Sequence, residues 1–196
     1  QVYMFYGLTN FYQNHRRYVR SRDDNQLLGR DLSPESLSGD CAPYRLFEND
    51  TVKLGYAPCG AIANSFFNDT LTVTYHGSGG AKEDLPLLRT GIAWNTDKSV
   101  KFHNPKSWNE TAHPPAWHKY VYDLDPTDPD NNGYENEDLI VWMRTAALPN
   151  FRKLYRRIDH QTGTAFEEGL PKGNYTLNVQ YAFPVVDFDG EKRMTL

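Results

Sequence analysis

The stretch Asn174-Tyr175-Thr176-Leu177-Asn178-Val179-Gln180-Tyr181 decides the fold class. Tyr175, Leu177, Val179 and Tyr181 fall on one side of an extended chain, and Thr176, Asn178 and Gln180 on the other. That alternation is the pattern of a half-buried antiparallel strand with one dry face and one wet face. A further strand is expected after the Asp189-Gly190 turn, through Lys192 and Met194. Upstream, Leu71-Thr72-Val73-Thr74-Tyr75 alternates in the same way, and Val2 to Thr9, rich in Tyr and Phe, reads as a strand. Gly77 to Gly80 reads as a turn.

Between these strands lie segments of other character. Residues 10–28 are polar and basic, then acidic, and predict one or two helical turns ending at Gly29. Residues 30–58 are loop-rich. Gly60 to Phe67 carries Ala61, Ile62, Ala63, Phe66 and Phe67 at helical spacing. Residues 104–129 hold five of the twelve prolines and predict irregular surface backbone. A helix is expected from Asn136 or Glu137 through Ala147, closed by Pro149. Phe151, Leu154, Tyr155 and Ile158 have helical spacing too, but the segment is short and flanked by strands, so a bulged strand fits equally. There are no internal repeats and no long linker. The expected fold is β-rich (α+β): an antiparallel β-sandwich-like core with long helical and loop insertions, in a single domain over 1–196.

The chain has 196 residues and a net charge of −4, without the basic excess of a nucleic-acid binder. Its 13 Tyr, 10 Phe and 4 Trp suit surfaces with one dry and one wet side. No apolar run approaches the roughly 18 residues of a membrane span. Both ends read as strands cut short, at Gln1-Val2-Tyr3 and at Arg193-Met194-Thr195-Leu196, which suggests a domain excised from a longer chain.

Four sequons, at Asn49, Asn68, Asn109 and Asn174, have the Asn-x-Thr form. With 15 Asn and 22 Ser plus Thr, roughly 1.7 matches are expected by chance, so four is an excess that points to the secretory lumen. Cys41 and Cys59 are the two cysteines. Beside sequons a disulfide is the leading reading, with two free thiols the alternative; a zinc site lacks its other ligands. Closing a loop of that length contributes about 3 kcal/mol in the chain-entropy model.

Asp128-Pro129-Asp130-Asn131-Asn132-Gly133 matches the first half of a calcium loop, which would place Asp128, Asp130 and Asn132 around a hard cation. The closing position holds Leu139 instead of Glu, so the alternative is a polar turn feeding an apolar helix. The six His are scattered, and no nucleophile elbow, P-loop or dinucleotide fingerprint occurs. No catalytic set and no cofactor site are expected. Two segments interleave Arg with aromatics, Arg16 to Arg22 and Arg152 to Arg157. They fit an interface or a solvated face equally, and on a luminal domain near a membrane they would also suit lipid head groups.

Several longer segments are familiar together: Tyr6 to Tyr18, Ser21 to Asp24, Ala57 to Ser65, Gly91 to Lys98, Asp128 to Arg144 and Arg144 to Pro149. In that order they resemble the accessory (beta) subunits of type IV P-type ATPases, the phospholipid flippases, of the cell-division-control-fifty or ligand-effect-modulator-three family. The resemblance implies an extracytoplasmic domain held between two membrane helices, luminal or extracellular, in a protein of the endoplasmic reticulum, Golgi, endosomes and plasma membrane. It implies a non-catalytic subunit that binds the ATPase and supports its folding, its exit from the endoplasmic reticulum and aminophospholipid transport. It pairs Cys41 with Cys59 and makes Asn68 a glycosylated position. Some members carry a sequon near Asn178, which Val179-Gln180 breaks here; Asn174 offers one four residues earlier. The interface expected on this basis comprises Tyr12, His15, Arg16, Arg17, Tyr18, Arg144, Arg152 and Tyr155. A calcium-dependent adhesion or carbohydrate-binding module is the alternative function, resting on Asp128 to Asn132, the aromatics and the sequons. A hydrolase with a dispersed site is a third.

Overall fold

The computed structural model describes residues 1–77 and 80–196. The turn expected over Gly77 to Gly80 falls partly on Ser78 and Gly79, which lie outside the described residues. The described strands are β1 (Tyr3–Leu8), β2 (Leu46–Glu48), β3 (Lys53–Tyr56), β4 (Thr70–His76), β5 (Lys82–Asp84), β6 (Leu87–Leu88), β7 (Thr111–Ala112), β8 (Phe151–Ile158), β9 (Asn174–Gln180) and β10 (Lys192–Thr195). The helices are α1 (Arg16–Arg20), α2 (Asp24–Leu27), α3 (Ala61–Asn64), α4 (Asn95–Val100) and α5 (Glu137–Met143). The fold is β-rich with short helical insertions. The chain divides into two compact units, one of Gln1–Phe11, Phe67–Ile92 and Asn150–Leu196, the other of Tyr12–Phe66 and Ala93–Pro149.

The first unit holds two antiparallel sheets, ordered β10-β1-β8-β6 and β5-β4-β9. Met4, Tyr6 and Leu8 alternate inward from β1, and Leu71 and Val73 from β4. Tyr6 stacks on Phe67 with ring centroids 4.0 Å apart. The Leu71 N–H donates to the Tyr155 hydroxyl at 3.0 Å, which ties the sheets together. The segment with ambiguous spacing is the bulged strand β8: Met4 pairs with Arg156 and Phe5 with Leu154, so Tyr155 is the extra residue. One inserted residue shifts the phase of a period-2 pattern and mimics helical spacing.

Strand β9 departs from its expected half burial. Its residues pair with β4, Leu177 opposite Val73 and Val179 opposite Leu71, so they share the face that β4 buries. Yet Leu177 is 36% exposed and Val179 48%, and Tyr181 just beyond is 58% exposed. β9 is the sheet's last strand, and the core that covers β4 does not reach it.

The second unit is built differently. β2 and β3 pair antiparallel and β3 and β7 parallel, and the remainder is short helices. α2 begins at Asp23, whose carboxylate accepts from Asn25 N and Gln26 N and also from Ser38 N. It is followed by Gly29 in the left-handed region, where a Cβ would lie 2.6 Å from the Asn104 carbonyl. Gln26 clamps the next layer, donating to Tyr56 O and accepting from Cys59 N. Cys41 and Cys59 are joined in a disulfide, buried with Leu37.

The helix expected to reach Ala147 stops at Met143. Asn136 caps its start, accepting from Leu139 N. At its end the Ala146 amide turns to the Gln13 side-chain carbonyl instead of continuing the helical ladder. The helix buries Leu139, Ile140, Trp142 and Met143. Trp142 and Trp117 donate their indole N–H groups to Ile62 O and Ala63 O, carbonyls of α3, each at 2.7 Å. α3 itself spans fewer residues than the Gly60 to Phe67 helix expected.

Candidate interaction surface

In the second unit, α1 follows a His15 cap whose Nδ1 accepts from Arg17 N. Arg16, Arg17 and Arg20 are exposed and border a cavity of about 440 Å³ with Asp40, which pairs with Arg20 at 3.3 Å. Tyr18 instead turns inward, its hydroxyl 2.8 Å from Ser65 Oγ. Burial pushes this phenol up to about 12, against smaller opposing effects of its hydrogen bonds to Ser65, Gln13 and Trp142.

The Tyr12–His15 turn lies against the loop that follows α5: Asn14 Nδ2 donates to Ala147 O and Gln13 Oε1 accepts from Ala146 N. Arg144, at the start of that loop, places its guanidinium 5.0 Å from the Trp94 ring centre and donates to the buried Asp97 carboxylate at 2.6 Å. Asp97 also accepts from Lys101 at 2.7 Å. Burial pushes the Asp97 carboxyl up, but the hydrogen bonds and charges of Lys101 and Arg144 outweigh it and hold the group below its ordinary value. Arg144 is thus fixed by a charge-assisted bond on one side and an aromatic face on the other. Trp94 is 65% exposed, Leu148 67% and Tyr12 57%. Adjoining segments therefore present to solvent two aromatics and a fixed Arg, the residue types of interface anchors, together with the aliphatic Leu148. Sequence reasoning did not single out Trp94 or Leu148, although both lie in the segments that carry the family resemblance.

In the first unit, the second basic segment is mostly turned inward. Arg152 is exposed, its guanidinium over the Phe5 ring at 5.0 Å. Tyr155 is buried, with its hydroxyl accepting from Leu71 N, so it serves the core and has no ring to offer a partner. Lys153 and Arg156 are buried as well. Lys153 faces inward in regular register opposite the buried Tyr6, and the bulge then turns both Tyr155 and Arg156 toward the interior.

The side chains of Asp128 and Asn132 bond to nearby backbone. Asp128 caps the turn Pro129–Asn131 by accepting from Asp130 N. Asn132 accepts from Gly133 N and Asp125 N and donates to Tyr122 O. The segment forms the polar turn that feeds α5. Among the described residues there is no group of three or more His, Cys, Asp and Glu that could hold a metal ion. No described helix is long and apolar enough to cross a membrane.

The four sequon asparagines are all exposed. Asn49 forms the turn between β2 and β3, its carbonyl accepting from Thr51 N and Val52 N. Asn68 precedes β4, Asn109 precedes β7, and Asn174 opens β9 opposite His76.

The profile of the LEM3 (ligand-effect modulator 3) family / CDC50 family matches residues 1–196. The chain belongs to the CDC50/LEM3 family. Among similar family members, cell cycle control protein 50A of Mus musculus is 52% identical over 204 residues, covering 100% of this chain and 54% of its own length. Cell cycle control protein 50B of Homo sapiens is 48% identical over 200 residues, covering 97% and 55%. The phospholipid-transporting ATPase accessory subunit CRF1 of Saccharomyces cerevisiae is 39% identical over 196 residues, covering 100% and 47%. The chain thus spans about half the length of these CDC50/LEM3 relatives.

Proposed function

We propose that this chain is the extracytoplasmic part of a non-catalytic accessory subunit. The subunit binds the catalytic chain of a type IV P-type ATPase, supports its folding and exit from the endoplasmic reticulum, and is required for aminophospholipid translocation. The observation that carries this reading is the match of the whole chain to a family that includes a relative named as an accessory subunit of a phospholipid-transporting ATPase. The exposed set of Tyr12, Trp94, Arg144 and Leu148 is the surface we assign to the ATPase, with His15, Arg16 and Arg17 at its margin and Arg152 a separate candidate. On this reading the protein resides in membranes of the secretory pathway, this chain faces the lumen or the cell exterior, and Asn49, Asn68, Asn109 and Asn174 are glycan acceptors.

The test is co-expression of the full-length protein with candidate ATPases. The ATPase is expected to co-purify with it and to leave the endoplasmic reticulum only in its presence. Trp94→Ala, which removes an exposed ring, should lower recovery of the ATPase severalfold, and Arg152→Ala should lower it less. An ATPase that is exported equally well without this protein would overturn the reading.

A further inference from the structure

A second cavity of the unit of Tyr12–Phe66 and Ala93–Pro149, distinct from the arginine-bordered one, has a volume of about 290 Å³. Its lining includes Arg30, Leu32, Ser33, Leu37, Asn109 and Tyr134. Three of these observations belong together. Asn109 is the acceptor position of a sequon, it is exposed, and it stands in the wall of this groove. Tyr134 is almost wholly buried, yet its hydroxyl makes no hydrogen bond to any described residue, although its amide donates to Asn104. A phenol hydroxyl that lines a groove and bonds no described residue takes its partner from a water or a ligand in that groove. The Arg30 guanidinium, also in the wall, forms no ion pair with any described residue. The rest of the lining mixes aliphatic surface (Leu32, Leu37) with hydroxyls such as Ser33 and the carboxylates of Asp31 and Glu110, which suits a ring that carries hydroxyls on its edge and C–H groups on its face. At 290 Å³ the groove lies at the small end of the roughly 300–1,000 Å³ range of ligand sites, room for about one such ring.

We infer that this groove seats the first N-acetylglucosamine of an N-glycan carried by Asn109. The covalent link places the sugar at the groove wall at high effective concentration, so weak contacts suffice to hold it. Tyr134 Oη and the Arg30 guanidinium hydrogen-bond the sugar's oxygens, and Leu32 and Leu37 pack against its apolar face. The glycan at Asn109 is then part of the fold, unlike one at Asn49, which stands on an exposed turn. The inference rests on the luminal reading above.

The experiment uses the full-length protein expressed in a eukaryotic host, with glycopeptide mass spectrometry at the four sequons and hydrogen exchange of residues 30–33 and 107–111. Asn109 is expected to be occupied, and exchange in both segments about tenfold slower than in Asn109→Gln. Trimming the folded protein to a single N-acetylglucosamine should preserve the protection, and complete enzymatic removal should abolish it, which covers the case in which Asn109→Gln does not fold. Tyr134→Phe should lose protection in the glycosylated chain and change nothing further in Asn109→Gln. Asn49→Gln should leave the groove unaffected. An empty Asn109 beside an occupied Asn68 or Asn174 overturns the inference and spares the luminal reading, as does an occupied Asn109 without protection. Four empty sequons overturn both.

Discussion

The two compact units bury their interiors by different means. In the unit of Gln1–Phe11, Phe67–Ile92 and Asn150–Leu196, long backbone ladders join β1 to β8 and β4 to β9, and side chains fill the space between. In the unit of Tyr12–Phe66 and Ala93–Pro149, helices of four to seven residues are far below the roughly 12–15 residues that stand alone in water. They are held by single buried side chains bonded to backbone, such as Asp23, Gln26, Asn131, Asn136 and Trp142, and by one disulfide. A ladder spreads its stability over many equivalent bonds and leaves its weakness at the edge. A set of point clamps concentrates stability in a few side chains, so that single substitutions there are felt strongly and locally.

The sharpest way to break that contrast is Trp142→Ala. The indole is fully buried and donates to Ile62 O, so removal leaves a large cavity and takes from that carbonyl the shorter of its two side-chain donors, at a cost of about 4 kcal/mol. Denaturant titration should show this loss, and hydrogen exchange should show α3 and α5 exposed while β4 and β9 keep their protection. Equal loss of protection in both units would mean that the clamps are not local. Next in size is Cys41→Ser with Cys59→Ser. Opening a loop with a sequence separation of 18 should cost about 3 kcal/mol, read as lost protection in β3 and the residues after Cys59.

The ladder unit was the more legible of the two in the sequence. β1, β4 and β9 stand where alternation put them, because period 2 is a direct consequence of strand geometry, and β10 follows the expected Asp189-Gly190 turn. β8 was ambiguous because the bulge at Tyr155 breaks the period, and the same bulge turned Tyr155 and Arg156 inward. The clamp unit was less legible: its helices are set by tertiary bonds, and α5 ends early because Gln13, more than a hundred residues away, takes the Ala146 amide. Of the candidate surface, Arg144 could be read from its segment. That Tyr18 points inward and Trp94 outward depends on neighbours such as Ser65 and Arg144 that only the fold brings close.

Alkaline pH should separate the units without any mutation. Burial raises the Tyr18 phenol from 10.0 to about 12, and burial with the charge of Asp23 raises Tyr134 in the same direction. A raised acid binds its proton more tightly in the folded state. Its contribution is therefore complete below pH 10 and is lost as pH climbs from 10 through about 12. Both phenols belong to the clamp unit, so hydrogen exchange corrected for its intrinsic pH dependence should show α1 and α3 opening before β4 and β9. Tyr18→Phe should flatten the first part of that loss, and simultaneous opening of both units would remove the distinction.

The smallest effect on stability, and the one that bears most on function, is expected at the ladder unit's edge. Val179 is 48% exposed although Leu71, its partner on β4, is buried. Val179→Lys should therefore change folding by no more than about 0.5 kcal/mol, the usual range for a surface site. Its effect should appear in association. Asn174–Gln180 is a seven-residue edge strand with no charge and no proline, and such an edge offers unpaired backbone groups and apolar side chains to another chain. Sedimentation velocity of the isolated chain should show concentration-dependent association that the lysine suppresses. A wild-type chain that stays monomeric at high concentration would mean that β9 is protected, for instance by a glycan at Asn174 on the opposite, polar face. The same measurement on protein with and without glycans distinguishes a shielded edge from an inert one.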